Sequence, residues 1–117
     1  MSIRIIHVID VTKTKDIIEI IKGFRMKISD NDYDSQKKFW DRCVEIMSED
    51  EDKAIQFIKD NYNSEYTDYI EEILQEYCER TNSKKVVMEL WDFFKDTDEV
   101  YYKNIVLSSI HRNEWDE

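Results

Sequence analysis

A chain of 117 residues is long enough for one domain with its own core, and 41% apolar against 38% charged residues implies a thin core beneath a heavily solvated surface. One glycine and no proline exclude a fold of many short strands joined by tight turns, leaving helices linked through Asn, Asp, Ser and Thr. The net charge of −10 is uneven: residues 1–27 carry six Lys/Arg against three acids, and the remaining 90 carry 11 against 24, a field that repels phosphate backbones and favours basic partners.

The first segment, residues 1–12, is dense in β-branched residues, but a single strand without a partner is implausible. Ile5, Ile6 and Ile9 also suit a helical or irregular segment packed on the rest, and the strand alternative stays open. Arg4, His7 and Asp10 interrupt any signal-peptide pattern, and no run approaches the roughly 18 apolar residues of a membrane span. Cys43 and Cys78, 35 residues apart and without a CxxC motif, read as reduced core residues of a cytoplasmic protein.

The first helical hairpin is expected over 13–48. Ile17, Ile18, Ile20, Ile21 and Phe24 share one broad face, with Thr12 or Thr14 as N-cap and Gly23 marking either the helix end or a close helix contact. After a polar connection at 27–34, Phe39, Trp40, Cys43, Val44 and Met47 form a helical stripe. Asp30, Asp32, Asp34 and Asp41 fall at calcium-loop positions 1, 3, 5 and 12, but Ser35 replaces the required glycine and Lys37 the apolar position 8. A solvated acidic loop leading into a helix is the better reading, so no metal is expected.

The second hairpin, 51–80, begins at Ser48 or Asp50 as N-cap and buries Ala54, Ile55, Phe57, Ile58 and Tyr62. Ser64 is expected to cap its second helix, whose apolar side is Tyr66, Tyr69, Ile70, Ile73, Leu74 and Tyr77. The third, 83–110, starts at Asn82 or Ser83 with Val86, Val87, Leu90, Trp91 and Phe94, and continues from Asp96 or Asp98 through Tyr101, Tyr102, Ile105, Val106 and Ile110. The tail 112–117 is expected to fray, apart from a docking role for Trp115. A shift of 32 residues lays Ile55 on Val87, Ile58 on Leu90, Tyr62 on Phe94, Tyr69 on Tyr101 and Leu74 on Val106. The fold class is therefore all-α: a single domain of three consecutive helical hairpins, HEAT-like or bundle-like.

No HExxH, GxSxG or phosphate-binding loop is present, and His7 and His111 lack nucleophile partners, so neither enzymatic activity nor a cofactor is expected. Glu71 and Glu72 point about 100° apart on a helix and do not form a catalytic pair. The informative feature is the polar side of the fourth helix, where Asp68, Glu71, Glu72, Gln75, Glu76 and Glu79 meet no base before Arg80. Like charges at i,i+4 cost a few tenths of a kcal/mol each, which suggests that the negative field is wanted. Tyr66 beside it, with Asp98, Tyr101 and Tyr102 on the next hairpin, completes the expected partner-binding set; each tyrosine is also a candidate for core packing.

The stretches Phe39-Trp-Asp-Arg-Cys-Val-Glu-Ile-Met, Ala54-Ile-Gln-Phe-Ile-Lys-Asp-Asn-Tyr and Tyr69-Ile-Glu-Glu-Ile-Leu resemble small immunity proteins of bacterial polymorphic and contact-dependent toxin systems, over about residues 36–110. The resemblance implies an acidic helical antidote without catalytic residues. Its partner would be one cognate toxin domain, basic and often a nuclease. The alternative expectation is a phage or plasmid DNA mimic that occupies a nucleic-acid-binding protein, although the net positive residues 1–27 interrupt its stripe of charge. A helical regulatory or virulence scaffold is a third.

Overall fold

The computed structural model describes residues 16–27 and 33–115, and among these it contains six α-helices and no strand. They are α1 (Ile17–Lys27), α2 (Tyr33–Glu49), α3 (Glu51–Asn61), α4 (Thr67–Arg80), α5 (Lys84–Phe94) and α6 (Val100–Arg112). The expectations for residues 1–12, for Thr14 as a cap and for the acids at 30 and 32 lie outside the described residues.

Local chemistry sets the helix starts. Asp16 Oδ1 accepts from the backbone N–H groups of Ile18 (3.0 Å) and Glu19 (3.4 Å) at the head of α1. Asp50 caps α3 by accepting from Lys53 N at 3.1 Å, with Glu51 and Asp52 in the favourable first turn. Ser83 caps α5 by accepting from Val86 N at 3.3 Å. Two expected caps are displaced. Ser64 Oγ accepts from Tyr66 N and its carbonyl from Thr67 N, so it organises the turn ahead of α4 while the N-cap itself, Tyr66, has no side-chain bond. Neither Asp96 nor Asp98 caps α6. Thr97 organises that junction, donating from Oγ1 to the Phe94 carbonyl at 2.7 Å and accepting from Glu99 N at 3.2 Å. In both junctions a hydroxyl two or three residues upstream shapes a tight turn, and the N-cap side chain makes no capping bond.

Two helix ends also differ from expectation. Gly23 is buried inside α1 and does not adopt positive φ, so it is no helix terminator. Of the 112–117 tail, the described residues 113–115 are tied down and do not fray. Glu114, at φ 56, lets its N–H bond the His111 carbonyl (3.2 Å) and Trp115 N bond the Ile110 carbonyl (2.9 Å). This is a Schellman closure with a carboxylic residue where glycine is usual, and Trp115 packs on the core as its hydrophobic partner.

The hairpins stack with alternate helices side by side. α2, α4 and α6 lie next to one another in one layer, α3 packs on α5 in the other, and α1 rests on α2. Within the hairpins, α5 and α6 pack extensively, whereas α3 and α4 touch each other less than either touches its neighbour in the layer. Burial follows the expected stripes: Ile20, Ile21, Cys43, Met47, Ile58, Ile70, Ile73, Leu74, Val86, Leu90, Phe94, Val106 and Ile110 are essentially inaccessible. Aromatic clusters join the hairpins. Phe24, Phe39 and Tyr69 meet between the first and second, with Phe24 stacked on Phe39 at 4.3 Å. Tyr62, Phe94 and Tyr102 meet between the second and third, where Phe94 and Tyr102 stack at 4.9 Å. The residues matched by the 32-residue shift, Tyr62 and Phe94, are thus in direct contact.

Candidate functional site

The acidic side of α4 does not stand alone, because α6 lies alongside and encloses a groove of about 720 Å³. Asp68, Glu71, Glu72, Gln75 and Glu79 form its α4 wall; Tyr101, Asn104, Ile105, Ser108 and Arg112 form the α6 wall. Each stripe steps by three or four residues over three turns, so the groove follows the helices for about 16 Å at 1.5 Å per residue. Four carboxylates face one guanidinium, and Arg112 stands at the end of the α6 stripe, where it donates to the Cys78 carbonyl at 3.0 Å.

The carboxylates differ in what they already hold. Glu76 is paired with Arg80, whose Nε donates to it at 3.0 Å, and Arg80 also grips Asp41 across the α2–α4 interface. Arg80 and Lys37 hydrogen-bond the Asp41 carboxylate and hold it below the usual carboxylate range. Glu72 accepts from Trp40 Nε1 at 3.3 Å, and Glu79 from Gln75 Nε2 at 3.1 Å. Glu71 carries the unrelieved charge. Burial first, then the fields of Asp68, Glu99 and Glu72, push its carboxyl above the ordinary glutamate value. Glu99, immediately before α6, therefore belongs to the same negative field.

The expected partner-binding residues separate accordingly. Asp68, Glu71, Glu72, Glu79 and Tyr101 line one groove. Glu76 is paired with Arg80 on its own helix, Tyr66 is half-buried beneath Arg25, and exposed Asp98 sits in the α5–α6 turn. Tyr102 is a correction. Its side chain is 0% exposed and its hydroxyl donates to the Tyr62 carbonyl, so it cannot anchor a partner. Tyr101, one residue earlier and about 100° around the helix, is 71% exposed, and Val100 beside it is 57% exposed. The α6 residues Asn104, Ser108 and Arg112 were not foreseen. The 32-residue shift carries that signal, since it lays Glu72 on Asn104, Glu76 on Ser108 and Arg80 on Arg112.

The groove is predominantly acidic. Cys78 reaches it, but burial pushes the thiol up to about 12, as it does for Cys43, so neither is a ready nucleophile. Among the described residues no group of three or more His, Cys, Asp or Glu side chains is arranged to hold a metal ion. Residues 33–41 run inside α2, so Asp34 and Asp41 project from a helix and cannot wrap an ion as a loop. No described helix is long and apolar enough to cross a membrane. Comparison with protein-family models, curated proteins and solved structures produced no match.

Proposed function

We propose that this protein is a binding module that docks a basic protein domain in the α4–α6 groove, acting as an immunity protein that neutralises a toxin, with a nuclease as the fitting toxin class. The observation that carries this reading is the coincidence, in one groove, of four carboxylates, among them the part-buried Glu71 crowded by its acidic neighbours, with the exposed Tyr101. Anchoring aromatic side chains beside a field of one sign is the arrangement that gives an interface both hold and steering. A nuclease must be basic where it grips nucleic acid, so an acidic surface would both find it quickly and cover that region.

The arrangement has a cost in the free protein. Asp68 and Glu72 repel at i,i+4, and Glu71 is held against burial and three neighbouring acids. Glu71→Gln should therefore raise stability by a few tenths of a kcal/mol while weakening binding. Co-expression with a toxin domain encoded beside this gene should restore growth. The triple reversal Asp68→Lys, Glu71→Lys and Glu79→Lys should abolish that protection and weaken binding at least tenfold in low salt. Glu89→Lys, on the exposed side of α5, should preserve it. Unchanged affinity after the triple reversal would exclude the groove as the binding surface.

A further inference from the structure

We draw no further inference here: the strongest candidate outside the α4–α6 groove, the cavity of about 440 Å³ between the start of α1, the end of α2 and α3, lined by Ile17, Ile46, Met47, Ala54 and Phe57 together with four charged residues, carries nothing because the structure does not show what covers it.

Discussion

Tyr102 shows how one hydroxyl joins two hairpins. It donates to the Tyr62 carbonyl at 3.0 Å, which leaves Thr67 Oγ1, 2.8 Å away, to donate to it in turn. The α3–α4 turn is thereby fastened to α6, while the ring stacks on Phe94. Tyr102→Phe keeps the stacking and removes both bonds, so chemical denaturation should register a loss of about 1–2 kcal/mol without loss of the fold. A variant as stable as the parent would show that the hydroxyl is dispensable. The same burial pushes the Tyr102 phenol up to about 12, alongside the thiols of Cys43 and Cys78. In each case the folded state retains a proton that the unfolded chain releases earlier. The stabilisation is complete below about pH 8, where unfolded cysteine begins to ionise, and is lost as pH rises toward 12. The urea midpoint should thus fall steadily from pH 9 to 11, and the two thiols should react with a disulfide reagent only at the rate of unfolding.

Among the elements, the helix ends offer the most direct tests. Ser83 accepts from Val86 N and donates its own hydroxyl proton to Glu51, linking the heads of α5 and α3. Ser83→Ala should cost about 1 kcal/mol through the cap alone. Glu114 works in the opposite sense. Its left-handed backbone costs a residue with a Cβ about 1 kcal/mol, so Glu114→Gly should raise the melting temperature while retaining the Trp115 closure. A lower melting temperature would mean that the added freedom of the unfolded chain outweighs the relieved strain. The helix stripes themselves were legible in the sequence because periodicity is a local property. The caps Asp50 and Ser83 were legible only as one of two neighbouring candidates each, beside Ser48 and Asn82. Ser64, and Asp96 or Asp98, misled because a polar side chain near a helix start can cap the helix or shape the preceding turn, as Ser64 and Thr97 do, and sequence does not distinguish the two.

At the scale of the molecule, the stack makes each hairpin depend on the next. α3 packs chiefly on α5, and α4 on α2 and α6, rather than closing on each other as a self-sufficient hairpin. Ending the chain at Thr81 would uncover the faces of α3 and α4 that α5 and α6 protect. The truncated protein should lack a cooperative thermal transition by circular dichroism, as expected when nearest-neighbour interfaces carry the stability. A sharp transition would instead show that the first two hairpins form a folding unit by themselves. By itself the sequence determined the all-α class, the six described helices and the acidic side of α4, because glycine and proline scarcity, apolar period and charge placement act over a few residues. Only the tertiary structure decided which acids remain available. Arg80 and Asp41 are 39 residues apart, and their contact fixes to α2 the guanidinium that Glu76 holds on its own helix. The tyrosines were settled at the same level. α6 has apolar residues around much of its circumference, so its period could not say that Tyr102 faces the core and Tyr101 the groove; the packing of α4 and α5 against it did.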